Sequence, residues 1–162
     1  MAYRSVGYLR AERGEFDAAA RAIKQAEEHV PRALGSMTRG PAAAARASLE
    51  LWAGRPEAAA AIVSDCLERV GEREHVFLTA RLYEIGARAC ADLVARAPGD
   101  DRTFRQQTRT AQSLLERLDG LIGRMSGVIP PVVRASRAVC AAHVSRIGGA
   151  GEAALWADAR QL

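Results

Sequence analysis

Apolar positions along the chain recur in steps of three and four, and no run alternates in steps of two. That pattern predicts helix almost throughout. The clearest seam runs from His75 to Ala97, through Val76, Ala80, Tyr83, Ala87, Cys90, Val94 and Ala97. A second runs from Arg102 to about Arg124, with Phe104, Ala111, Leu114, Leu115, Leu118 and Ile122 as its stripe. Between them stands Pro98-Gly99-Asp100-Asp101, a turn whose aspartates suit the cap of the following helix. Long helices joined by so short a turn are expected to lie antiparallel.

The rest of the chain divides at its glycines and prolines. Residues 2–13 form a first helix, broken at Gly14, and Glu15 to Val30 a second, stopped by Pro31. Arg32 to Gly40 reads as a loop, and Pro41 suits the first turn of a helix that runs to Ala53. Gly54 ends that helix, and Pro56 opens the next, to about Val70. Val132 to Ile147 is helical, Gly148-Gly149-Ala150-Gly151 breaks it, and Glu152 to Leu162 starts a last helix. The expectation is one all-α domain over residues 1–162, a right-handed stack of antiparallel pairs at about 2–31, 41–70, 75–124 and 131–162.

Composition agrees. Ala supplies 34 of 162 residues and aromatics only 5%, which disfavours a β-sandwich or barrel. Cys66, Cys90 and Cys140 are far apart, form no CxxC and sit among apolar neighbours. They are expected to be reduced, buried thiols in a cytoplasmic protein. No charge-free run is long enough to span a bilayer, so no membrane role is expected. The net charge is +4, and Arg provides 22 of the 23 basic residues. From Arg102 to Arg146 there are eight Arg against only Glu116 and Asp119. That face is either solvated or turned toward an anionic partner.

The segments Gly14-Glu15-Phe16-Asp17-Ala18-Ala19 and Gly54-Arg55-Pro56-Glu57-Ala58-Ala59 align, forty residues apart. The first pair resembles a tetratricopeptide repeat. Gly7 takes the small position where the helices cross, Gly14 the turn and Phe16 the aromatic place after it. Ala19 and Ala26 take the small positions of the second helix, and Pro31 closes the unit. Arg10 and Tyr3 depart from that pattern. In residues 41–70, Ala47, Gly54, Ala59 and Cys66 fit, whereas Pro56 replaces the aromatic. The run Ala47-Ser48-Leu49-Glu50-Leu51-Trp52-Ala53-Gly54-Arg55-Pro56-Glu57-Ala58 is also similar to the helical region of large ATP-dependent LuxR-type transcriptional regulators. So is Ala154-Leu155-Trp156-Ala157-Asp158-Ala159. This resemblance implies a sensor arm, without the nucleotide-hydrolysing and DNA-reading modules.

No catalytic or cofactor constellation is legible. Gly148-Gly149-Ala150-Gly151 lacks the Gly-Lys-Ser/Thr ending of a phosphate loop. His29, His75 and His143 are scattered, with no HExxH, and there is no GxSxG elbow. Leu78-Thr79-Ala80-Arg81 faintly resembles the opening of a LuxR-type DNA-binding domain. One uninterrupted helix is expected there, without the turn a helix-turn-helix needs, so no direct DNA binding is expected.

The expected function is non-catalytic: a helical-repeat module that holds a protein or peptide partner or a small effector and uses no cofactor. Alternatives are a free-standing adaptor for a peptide, a helical-bundle enzyme and a nucleic-acid binder using the Arg102–Arg146 face. By the repeat frame, Arg4, Tyr8, Glu12, Ser48 and Trp52 are expected on a concave groove. Arg81, Glu84 and Arg88, opposite the seam of the third pair, are expected there too. The alternative is that Trp52 packs into the core and the others are simply solvated. Tyr3 and Val6 at one end, and Leu155, Trp156, Ala159 and Leu162 at the other, suggest an array cut from a longer one and a homodimer formed through terminal helices.

Overall fold

The structure, a computed structural model, describes residues 7, 9–11, 13–28, 35–71 and 74–149. These are helical or in turns, with no strand among them. Residues 7 and 9–11 are helical and precede six helices. The six are α1 (Phe16–Glu28), α2 (Gly35–Trp52), α3 (Pro56–Val70), α4 (Val76–Arg96), α5 (Asp101–Gly123) and α6 (Pro131–Ile147). Among the described residues no helix is long and apolar enough to cross a membrane.

Local chemistry sets most of the boundaries. Pro56 and Pro131 open α3 and α6 at positions where a missing N–H costs nothing. The Asp100 carboxylate caps α5, accepting from the backbone N–H groups of Arg102 and Thr103 at 3.0 and 3.3 Å. The Thr103 hydroxyl adds a 2.6 Å bond to it. These hydrogen bonds hold the Asp100 carboxyl below its ordinary range.

The two aligned turns are built alike. Gly14 and Gly54 take φ of +76° and +71°. Each bonds back three residues, Gly14 to Ala11 at 2.9 Å and Gly54 to Leu51 at 3.0 Å. The residue after each bonds back five, Glu15 to Arg10 at 2.9 Å and Arg55 to Glu50 at 2.7 Å. This doubly bonded helix end requires the left-handed residue that glycine supplies.

One boundary departs from expectation. The stretch 32–40 was expected to be a loop, yet α2 begins at Gly35 and carries Pro41 inside it. Packing explains the extension. A Cβ on Gly40 would lie 2.4 Å from the Leu78 carbonyl oxygen, so the start of α2 lies directly against the start of α4. Tertiary contact there outweighs the local preference of Gly and Pro.

The core is organised around α4, which packs on α2, α3, α5 and α6. Its Leu82, Tyr83, Ala87 and Ala89 are fully buried. At Gly86 a Cβ would meet Leu114 at 2.8 Å and Val63 at 3.2 Å, so α3 and α5 close on α4 from two sides. Polar contacts place the helix ends. Arg96 of α4 donates to the Gly54 carbonyl at 2.6 Å, bringing the end of α4 to the start of α3. Arg137 of α6 pairs with Asp119 of α5 at 2.8 Å, and Arg146 of α6 with Asp92 of α4 at 2.5 Å. A separate cluster joins Ala11, Ala19, Ile23, Ala45 and Leu49, so α1 packs on α2.

Cys66, Cys90 and Cys140 are free and buried, as expected. Burial pushes all three thiols up, Cys90 to about 11 and Cys140 to about 12. Leu78-Thr79-Ala80-Arg81 lies within the unbroken α4. Tyr3, Val6, Leu155, Trp156, Ala159 and Leu162 lie outside the described residues.

Two alanine substitutions should move stability in opposite directions. Gly40→Ala forces α2 off α4 and should cost about 1–2 kcal/mol net of its helix-propensity gain. Gly120→Ala, exposed within α5 and in ordinary contact with Arg124 alone, should stabilise by about 0.5–1 kcal/mol. Urea denaturation of the two variants checks both signs.

Candidate functional site

Arg81, Glu84 and Arg88 share one side of α4, where the structure adds partners from α6. Arg81 pairs with Glu84 at 3.8 Å, and Arg88 with Asp92 at 3.6 Å. Arg146 joins the same Asp92, so one carboxylate is bridged by two guanidinium groups from two helices. Burial raises the Glu84 carboxyl above its ordinary value, while a Ser136 hydrogen bond and Arg81 oppose the shift. His143 of α6 is buried beside this cluster. Burial pulls its imidazole down to about 4; Arg146 and Arg88 push the same way, and Asp92 opposes. The outcome is a charged strip on α4 and α6 with half-exposed guanidinium groups, more deeply set carboxylates and a neutral imidazole beneath.

The other expected site residues are placed elsewhere. Arg4, Tyr8 and Glu12 lie outside the described residues. Ser48 is 7% exposed, in the interior. Trp52 is half-buried and leans with Phe16 on the cluster between α1 and α2. The structure therefore joins Arg81, Glu84 and Arg88 into one strip and sets Ser48 and Trp52 apart on α2.

A second constellation escaped the sequence reading. Glu74, in the link between α3 and α4, turns inward until its side chain is only 2% exposed. One carboxylate oxygen accepts from the Tyr83 and Thr79 hydroxyls, each at 2.7 Å. The other accepts from Arg117 of α5 at 2.6 Å, and Arg117 also donates to the Leu67 carbonyl at 3.1 Å. Burial, reinforced by Glu74, pushes the Tyr83 hydroxyl far above its ordinary value. A buried carboxylate is tolerable only with such compensation. One signal was present in sequence: Tyr83 falls on the apolar seam of α4, and a buried phenol needs a partner for its hydroxyl. Nothing in the pattern named Glu74 as that partner. Over this network opens a cleft of about 400 Å³, lined by Gly71, Glu74, His75, Val76, Phe77, Arg117, Leu121, Arg124 and Met125.

The basic stretch resolves into two kinds of arginine. Arg117, Arg137 and Arg146 are held in ion pairs. Arg102, Arg105 and Arg109 instead lie along one exposed face of α5 with Gln106 and Thr110. Among the described residues no group of three His, Cys, Asp or Glu side chains gathers to hold a metal. No known family model, curated protein or solved structure matches the chain.

Two outcomes test this geometry. Glu74→Gln keeps a neutral acceptor for the hydroxyls but removes the ionic partner of Arg117. It should cost about 1–3 kcal/mol in urea denaturation. The unfolded chain protonates His143 near pH 6.5, whereas the folded chain resists until about 4. This contribution to stability is therefore full above about pH 6.5 and falls as pH drops toward 4, by about 2–3 kcal/mol at pH 4.5. The loss between pH 7 and pH 4.5 should be smaller in His143→Gln than in the parent chain.

Proposed function

We propose that the chain is a non-catalytic helical-repeat module, a right-handed stack of antiparallel pairs of tetratricopeptide type. It would grip a peptide of a partner protein on the face shared by α2, α4 and α6. The observation that carries this reading is the order of contacts. Alternate helices touch in a row, α2 on α4 and α4 on α6, while each also touches its chain neighbours. Nearest-neighbour packing of this kind is the signature of stacked repeats, which leave an extended surface along one row of helices. The matching bonded turns at Gly14 and Gly54 support the repeat independently.

On that row lie Glu84 and Arg81, Arg88 and Arg146, whose guanidinium groups are about half exposed above more deeply set carboxylates, so the arginines can turn to the carboxylates of a partner. Three guanidinium groups against Glu84 and Asp92 favour an acidic peptide. The resemblance to LuxR-type regulators makes this module a sensor arm, acting through a partner or effector rather than by reading DNA.

A phage-displayed peptide library selected on the full chain tests the reading. Acidic peptides should be enriched, and their amide NMR perturbations should map to α4 and α6. The double variant Arg81→Ala/Arg88→Ala should weaken them about tenfold or more while retaining its helical circular dichroism. Peptides mapping only to the outer face of α5, or binding unaffected by the double variant, would overturn it.

A further inference from the structure

We propose that the cleft between the start of α4 and the end of α5 is a binding site for a small amphipathic anion: a carboxylate carrying an apolar, aromatic-sized body. The proposal rests on the reading of the chain as a binding module and names where, and in what chemical form, a small effector would seat.

The charge of the cleft points to an anion. Among the described residues its lining carries one carboxylate, Glu74, with both oxygens engaged, one by Tyr83 and Thr79 and the other by Arg117. A cation would find no carboxylate oxygen left to itself among these residues. Arg124 stands at the same cleft, is exposed, and has no ion pair among the described residues. A guanidinium in that position binds a carboxylate through paired charged hydrogen bonds. The remaining walls point to an apolar body. Phe77 lies beside Val76 rather than on the buried seam and is 61% exposed, in a chain with only three Phe. Leu121 and Met125 of α5 line the same space. A volume of about 400 Å³ falls within the roughly 300–1,000 Å³ of small-molecule sites, and the lining mixes these apolar side chains with Glu74, His75 and two arginines. Part of the floor is held in advance, because Glu74 is bonded to both α4 and α5. The ordering cost of binding then falls on the exposed Phe77 and Arg124 side chains.

The test titrates the full chain with 4-phenylbutyrate, followed by amide NMR shifts and calorimetry. Neutral 4-phenylbutanol and inorganic phosphate serve as parallel probes. Saturable shifts are expected at residues 74–77 and 117–125, with both parallel probes binding at least about tenfold more weakly. Arg124→Gln and Phe77→Ala should each weaken 4-phenylbutyrate about tenfold. Both side chains are exposed, so the variants should retain the parental spectrum elsewhere. Absence of saturable shifts in the cleft, equal binding of the butanol or of phosphate, or indifference to both variants would overturn the proposal. Acidic peptides still bound on α4 and α6 while the cleft stays silent would overturn this inference alone. Cleft binding without any peptide on α4 and α6 would support it and count against the peptide-binding face.

Discussion

The close approach of four helices to α4 is the constraint on which the rest of the structure depends. Such approach demands small side chains, and α4 supplies Ala80, Gly86, Ala87, Ala89 and Ala91 where its neighbours lie. Gly40 does the same from the side of α2. The alanine-rich composition is thus the means by which helices come near enough for backbone and Cβ atoms to exclude water. Few aromatics are needed when the gaps are narrow. Tyr83 is the exception, and its hydroxyl is paired with Glu74, a carboxylate buried with it.

That carboxylate links fold and site. Glu74 fastens the α3–α4 link to α4 through two hydroxyls and to α5 through a guanidinium. The same atoms form the floor of the cleft, so the position of Arg124 and Met125 relative to Phe77 depends on an interior polar network. On the α4–α6 strip the arrangement differs. There Arg88 and Arg146 are half-exposed over the more deeply set Asp92, and their pairing orients charge at the surface without fixing the core.

The all-helical class and most helix ends were legible in the sequence, because they follow from local causes. Seams spaced three and four apart, proline at the start of α3, and Asp100 at the cap of α5 act within a few residues of chain. The stretch 32–40 was misread for the complementary reason. Its helix depends on Gly40 meeting Leu78, thirty-eight positions away, and no local pattern encodes that contact. The candidate site divides the same way. Arg81, Glu84 and Arg88 share a helix face by simple spacing, so their grouping could be read directly. Ser136, which bonds Glu84, and Arg146, which shares Asp92 with Arg88, come from another helix. Glu74 lay in a charged link, and no local pattern marks it for burial.

The apolar interior is divided unequally. One cluster runs through α2 to α6, whereas Ala11, Ala19, Ile23, Ala45 and Leu49 form another at the edge. Among the delimited helices α1 touches α2 alone. Opening it exposes that edge cluster, while opening α4 exposes surfaces of four helices at once. The backbone amides of α1 are therefore expected to exchange with solvent through a local opening, and those of α4 mainly when the molecule unfolds as a whole. Among the described helices, resistance to proteolysis and hydrogen exchange is then expected to be lowest at α1 and highest at α4.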